Sequence, residues 1–269
     1  MTKTHMTVLV VGATGSIGSL VVDEALGQGH AVRALVRKSS KKDQLPREVQ
    51  VVTGDVTRPD TLSPAVDGVD AVVFTLGSDG AGKAGAESID YGGVRNVLQA
   101  LGSRTVRIAL MTSIGVTNRT GDYNRKTESH DWKRRSERLV RASGMPYTIV
   151  RPGWFDHNAP DQHRLVLLQG DKRQAGDSSD GVIARRQIAQ VLVHSLNSPQ
   201  ALRKTFELIA AKGKAQEDFD ALFAPLDADP QGTLDGVHDT ANMALEDEPQ
   251  RVRDDLDAMR ARHSAGADS

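Results

Sequence analysis

Thr7-Val8-Leu9-Val10-Val11-Gly12-Ala13-Thr14-Gly15-Ser16-Ile17-Gly18 decides how this chain is read. An apolar run leads into three glycines spaced three apart, and Ile17, Leu20 and Val21 then take up a helical period. A phosphate site asks for this order. One glycine makes a tight turn, a second lacks the side chain that would keep the backbone from a pyrophosphate, and a third lets helix pack closely on strand. The helix start adds unpaired N–H groups and a partial positive charge. A lone glycine triplet also fits an ordinary strand-to-helix turn, but a strand before, a helix after and a place near the N-terminus favour a dinucleotide site. Its contacts are expected from Gly12, Thr14, Gly15, Ser16, Ile17 and Gly18.

Outward from this loop, short β-branched runs alternate with helical patterns, the signature of βαβ units and a parallel sheet. Strands are expected at 7–11, 31–36, 49–52, 70–75, 106–111 and 147–151. Helices are expected near 16–27, 60–66, 87–102 and 129–143, the first ending at Gly27 or Gly29. In helix 87–102, Ile89, Val94, Val97, Leu98 and Leu101 fall largely on one stripe for the sheet to cover. The fold class is α/β, a doubly wound parallel sheet with a small C-terminal substrate-side region. Segment 152–182 reads as loop-heavy substrate-side structure around the short apolar run Leu165-Val166-Leu167-Leu168. A helix at 185–197 and a strand at 205–210 complete a body of residues 1–212. Residues 213–269 form an acidic extension with helices at 216–223 and 249–262.

Composition bounds the rest. The chain has 269 residues, 34 Lys+Arg against 35 Asp+Glu, and no cysteine, which excludes thiol chemistry, thiolate metal sites and disulfides. The eight histidines show no ligand spacing, so no metal site is expected. The apolar runs are strand-sized, far short of the roughly 20 residues of a membrane span. Met1-Thr2-Lys3-Thr4-His5 leaves no room for a signal peptide before the first strand, so a soluble cytoplasmic protein is expected. The near-zero net charge hides an asymmetry. Residues 1–212 carry 29 basic against 21 acidic residues, and residues 213–269 carry 5 against 14. A positive body suits an anionic ligand, while the acidic tail argues against a nucleic-acid partner. The tail itself is open to three readings: folding back on the body, packing against a second copy in a homo-oligomer, or staying mobile.

The cofactor type is read at the end of the second strand. An NAD site puts a carboxylate there for the ribose 2′-hydroxyl, whereas this chain has Arg37, Lys38, Ser39, Ser40, Lys41 and Lys42. A guanidinium pairs with a 2′-phosphate and stacks on adenine, which favours NADP(H) over NAD(H).

From Thr7 to Ala210 the chain resembles the atypical short-chain dehydrogenase/reductases of the NAD(P)H-binding, NmrA-like type, which implies a Rossmann fold. The glycine loop and Val32 to Arg37 are similar to the family's phosphate loop and NADPH-type second strand. Gly54-Asp55-Val56 resembles the adenine-contacting segment, with Asp55 on the amino group. Thr75-Leu76-Gly77 resembles the strand end that passes the nicotinamide ribose, and Asp90-Tyr91-Gly92-Gly93-Val94-Arg95-Asn96 the helix after it. Ser143 to Gly153 is the most family-specific run, with the Pro152-Gly153-Trp154 backbone facing the nicotinamide.

Reductases of the wider superfamily use a Ser, a Tyr and a Lys four residues after the Tyr. By resemblance, Met111-Thr112-Ser113-Ile114-Gly115 makes Ser113 the serine and Lys133 the lysine, both also touching cofactor. The tyrosine position is then Ser129, a departure that removes the usual phenol donor. Tyr123 and His130 are nearby candidates to compensate, although spacing puts neither on the expected rung. Lys133 also reads as part of a solvated basic face, Trp132-Lys133-Arg134-Arg135-Ser136-Glu137-Arg138. Trp154, Phe155 and His157 suit a pocket for a planar or carbonyl-bearing substrate. The sequence thus reads as an NADP(H)-dependent oxidoreductase acting on a small organic acceptor. A non-catalytic NADP(H)-responsive regulator is the competing class.

Overall fold

A computed structural model describes residues 5–37, 42–78 and 80–267. The first apolar run forms β1 (Thr7–Val11), and Val8, Leu9, Val10 and Val11 are all completely buried. A strand covered on both faces has no polar face, which is why it reads as a continuous apolar run. It is followed by β2 (Ala31–Val36), β3 (Gln50–Thr53), β4 (Ala71–Phe74), β5 (Arg107–Met111), β6 (Tyr147–Pro152), β7 (Trp154–Phe155), β8 (Arg164–Leu168), β9 (Val182–Ile183) and β10 (Lys204–Ala211). The main sheet has the order β3-β2-β1-β4-β5-β6-β10-β8. Its pairings are parallel up to β10, and β8 lies antiparallel on the edge.

The helices are α1 (Gly18–Gly27), α2 (Ser63–Val66), α3 (Gly82–Gly85), α4 (Gly92–Leu101), α5 (Asp122–Thr127), α6 (Ser129–Ala142), α7 (Arg185–Asn197), α8 (Phe219–Phe223) and α9 (Gln250–Ala267). Successive side chains of β1 split between two cores. Val8 and Val10 pack with α1, α7 and Phe223, whereas Leu9 and Val11 pack with α2, α4, α6 and α9. This is a Rossmann-like doubly wound sheet, in which the order of successive strands reverses between β1 and β4. Ligands of such sheets bind outside the strand carboxyl ends at that reversal. No helix among the described residues is long and apolar enough to cross a membrane.

The parallel strands fall within one residue of their expected ends. Two expectations need correction. The run Leu165–Leu168 is no loop feature, because β8 pairs with β10 as Leu165 with Ala210 and Leu167 with Leu208. An antiparallel edge strand needs no crossover helix, so the βαβ rhythm does not announce it. The expected helix 87–102 begins at Gly82 and is interrupted by a π-helical turn, Ala86–Tyr91, which leaves Ile89 only half-buried.

The segment after Gly213 folds back on the body. Val252, Leu256 and Met259 of α9 enter the second core, and Tyr91 donates a hydrogen bond to Asp255 at 2.8 Å.

Candidate active site

The three glycines of the loop do three different jobs. Gly12 has φ +96°, and a Cβ on it would stand 2.8 Å from the Thr75 hydroxyl and 2.9 Å from the Thr75 carbonyl oxygen. A Cβ on Gly18 would overlap the Gly12 carbonyl, so only glycine lets α1 start this close to β1. Gly15 donates its N–H to the Gly12 carbonyl at 2.9 Å and is itself exposed. A Cβ on it would stand 3.2 Å from the Gly12 carbonyl oxygen, a tight contact, and would cover an exposed part of the loop. No side chain caps α1 and no acid lies in its first turn, so apart from the Ser19 N–H, which donates to the Gly15 carbonyl at 3.0 Å, its first N–H groups face no acid of the chain's own. Thr14 is half-buried, Ser16 exposed and Ile17 buried. Thr75 ties the ends of β4 and β1 together by donating from its hydroxyl to Val11 O at 3.1 Å. This cradle fits a dinucleotide pyrophosphate.

Arg37 stands exposed just past β2, while Lys38 lies outside the described residues. Asp55 accepts from the Thr57 N–H at 2.9 Å and the Thr57 hydroxyl at 2.8 Å. Partial burial pushes its carboxyl up, but those hydrogen bonds and the charges of Arg37 and Arg58 hold it below its ordinary value. Val56 and Leu76 meet over Gly93, where a Cβ would come 2.8 Å from Leu76 Cδ1 and 3.2 Å from Val56 Cγ2. Asn96 donates to the Val56 carbonyl at 2.7 Å, and Gly77 is exposed.

Ser113 follows β5. Its Oγ is buried and has no hydrogen-bond partner among the described residues, an arrangement native structures avoid unless a ligand or water completes it. The backbone beyond it is pinned by Asp171, a fully buried carboxylate that accepts from Gly115 N at 2.6 Å, Thr117 N at 2.7 Å and the Thr117 hydroxyl at 2.8 Å. Ile114 donates to the Pro152 carbonyl at 3.0 Å, which joins the Ser113 strand end to the buried Pro152-Gly153 backbone.

Lys133 is not on a solvated face. Its side chain is 15% exposed and its Nζ lies 3.0 Å from Oδ2 of Asp90, whose side chain is 2% exposed. Ser129, at the tyrosine position, is the buried first residue of α6. His130 is half-buried beside Gly115, with Cε1 3.2 Å from where a Gly115 Cβ would be, and Tyr123 lies over it at 5.1 Å between ring centroids. Burial lowers the His130 pKa, against a hydrogen bond to the Asn118 backbone and the charge of Asp171. Tyr123 is 58% exposed. The other two tyrosines are committed elsewhere: burial pushes both phenols up, Tyr91 on Asp255 and Tyr147 on Asp229.

Just past Pro152, β7 pairs with β9. Trp154 is 40% exposed and meets His157 edge-on at 6.5 Å, and the Arg185 guanidinium lies 5.4 Å from the half-buried Phe155 ring. Arg185 also pairs with Asp156. His157 is exposed. Gly153 is buried against the Gly181 carbonyl, with no room for a Cβ.

Helix α6, which carries Lys133, is locked by the acidic segment. Arg151 is completely buried and makes paired hydrogen bonds to Asp239, both 2.7 Å, and to Glu137 at 3.0 and 2.6 Å. Arg138 makes the same two-pronged contact with Asp235, Arg135 with Glu248, and Arg141 reaches Asp229 and Glu137. Glu207 lies 3.4 Å from Arg151, and burial pushes its carboxyl up to about 8 because Glu137 and Asp239 already claim that guanidinium.

Sequence reasoning assigned no role to Asp90 or Asp171. Asp90 stood inside a family-like run, so a signal existed. Asp171 had none, since its partners lie 54 and 56 residues away. Among the described residues no group of three or more His, Asp or Glu side chains is placed to hold a metal ion.

Among similar proteins, the sanguinarine reductase of Eschscholzia californica is 28% identical over 262 residues, covering 81% of this chain and 95% of its own. The photosystem II assembly factor Ycf39 of Synechocystis is 28% identical over 211 residues, covering 77% of this chain and 63% of its own. A short-chain dehydrogenase/reductase of Veillonella parvula, solved with NADP, superposes with a TM-score of 0.59 at 16% identity, covering 77% of this chain and 95% of that one. The NAD(P)H-binding family model matches residues 12–199, and the chain belongs to that NAD(P)H-binding family.

Proposed function

We propose that this protein binds NADP(H) in preference to NAD(H) and reduces a small organic acceptor of the quinone, flavin-like or carbonyl class. The observation that carries this reading is the buried, unpartnered Ser113 hydroxyl at the same sheet end as the glycine cradle. Bound in that cradle, the dinucleotide would supply a hydride at its nicotinamide C4. Ser113 would donate to an acceptor oxygen, and Lys133 would meet ribose hydroxyls. Arg37 would read the 2′-phosphate, with Asp55 and Val56 at the adenine. Thr75, Leu76, Gly77, Pro152 and Gly153 would line the nicotinamide side, and Trp154, Phe155 and His157 would wall the acceptor. With no phenol at position 129, the proton comes from water, or the acceptor is a ring that needs no enzyme acid. Positioning and electrostatics then supply most of the rate effect.

The test is NADPH binding by fluorescence followed by NADPH oxidation against quinones, flavins and carbonyls. Turnover on any class supports the reductase. Tight binding with no turnover across the panel would sink it and favour a redox-responsive partner-binding protein. That second reading is supported by the buried serine at position 129 and by the likeness to an assembly factor. For cofactor choice, Arg37→Ala should weaken NADPH binding about tenfold more than NADH binding. Equal losses would mean that Arg37 does not read the phosphate.

A further inference from the structure

Asp90 is one of the most enclosed carboxylates in the molecule, and it faces the lysine of the proposed site. It lies in the π-helical turn Ala86–Tyr91, an irregularity that recurs at functional sites. Its Oδ2 pairs with Lys133 Nζ at 3.0 Å and accepts from the Ser78 hydroxyl at 2.7 Å. Its Oδ1 is buried with no hydrogen-bond partner among the described residues. The same turn is braced from behind, because Glu87 pairs with Arg251 and Tyr91 donates to Asp255, both on α9.

A lysine ammonium carries three donors on a flexible four-carbon stem and does not hold a position by itself. Here a buried carboxylate holds the ammonium by an ion pair at 3.0 Å, and an ammonium has three N–H groups to offer. Two further buried polar atoms have no partner among the described residues, Ser113 Oγ just past β5 and His130 Nδ1 three residues before Lys133 on α6. A purely structural tether between two helices would not need to leave its own second oxygen and these atoms without partners.

We propose that Asp90 is a positioning residue that fixes the Lys133 ammonium where ribose hydroxyls of the dinucleotide meet it. This rests on the NADP(H) reading above. The contrast is supplied by Lys83–Glu128, an ion pair at 2.8 Å that joins α3 to the residue before α6 but is exposed on both sides.

The experiment is a double-variant cycle read by NADPH fluorescence titration. Asp90→Asn should raise the Kd about tenfold, Lys133→Met by a similar factor, and the double variant no further than Lys133→Met alone. Lys83→Ala should stay within about twofold. A change below about twofold in Asp90→Asn, or losses that multiply in the double variant, would overturn the proposal. If Asp90→Asn melts early by circular dichroism, Ser78→Ala carries the same test. It should weaken binding about twofold to fourfold beside Lys133 and have no effect in Lys133→Met, and equal effects in both backgrounds would overturn the role. Lack of NADPH binding by the unaltered protein would remove the cofactor reading and this role together. Binding with multiplying losses would remove this role alone.

Discussion

The glycine loop and the arginine face of α6 treat charge in opposite ways. At the loop, α1 begins with no side-chain cap and no acid, so its positive end is left for something outside the chain. On α6, Arg135, Arg138 and Arg141 are buried and each holds a carboxylate contributed by the chain itself. From the sequence the loop shows no charged residue at all, while the helix shows a dense basic run. The contrast teaches that the positive end of α1 is built from backbone, and that the basic run of α6 is mostly internal glue for the acidic segment.

The sharpest way to break the contrast is to remove one internal counter-charge. Asp239→Ala leaves Arg151 buried with an unmatched side, and breaking such a pair costs about 3–5 kcal/mol. Urea unfolding should register a loss of that size. At the loop the expected effect is on ligand and not on fold. Gly15→Val should weaken NADPH binding at least about tenfold, about 1.4 kcal/mol, while the melting temperature moves little. A melting drop as large as that of Asp239→Ala would show that Gly15 serves packing.

A pH series probes the arginine side again. Glu207 has its carboxyl raised from 4.5 to about 8, so the folded protein holds a proton that the unfolded chain releases in that window. Stability from this group is full below about pH 4.5 and is lost as pH rises through about 8. The melting temperature should therefore fall by about 5–10 °C from pH 6 to 9, and Glu207→Gln should flatten that part of the curve. An unchanged slope in the variant would assign the dependence to another group. The smallest effect belongs to Arg58→Ala, since its pair with Asp60 at 3.1 Å is exposed on both sides. It should cost less than about 0.5 kcal/mol, a baseline for what an ion pair contributes outside the buried set.

Much of the fold was legible because it repeats locally. The apolar runs of the parallel strands, the glycine spacing and the period of α6 and α7 all lie within windows of a dozen residues, where side-chain periodicity reports burial directly. The glycine turn was legible for the same reason, since Gly12, Gly15 and Gly18 act within a few residues of one another. What stayed hidden depends on distant partners. Arg151 and Asp239 are 88 residues apart, Arg135 and Glu248 113, and no local pattern distinguishes a buried guanidinium from a solvated one. The π-helical turn was hidden for a subtler reason: Glu87, Asp90 and Tyr91 fit an ordinary helix equally well in sequence, and only their separate contacts with α6 and α9 show the irregularity.

The folding back of the acidic segment sets an order of events during synthesis. The strands from β1 to β6 can pair as soon as they emerge, because their partners precede them or follow within a single crossover. Helix α6 cannot close its outer face then, since Asp229, Asp235 and Glu248 are still to be made, and neither can Arg151 of β6 meet Asp239. A ribosome working at about 5–20 residues per second leaves that cationic face uncovered for several seconds. Nascent chains are thus most exposed to unwanted anionic company at the helix that carries Lys133, and the proposed site takes its final shape only with the last part of the protein.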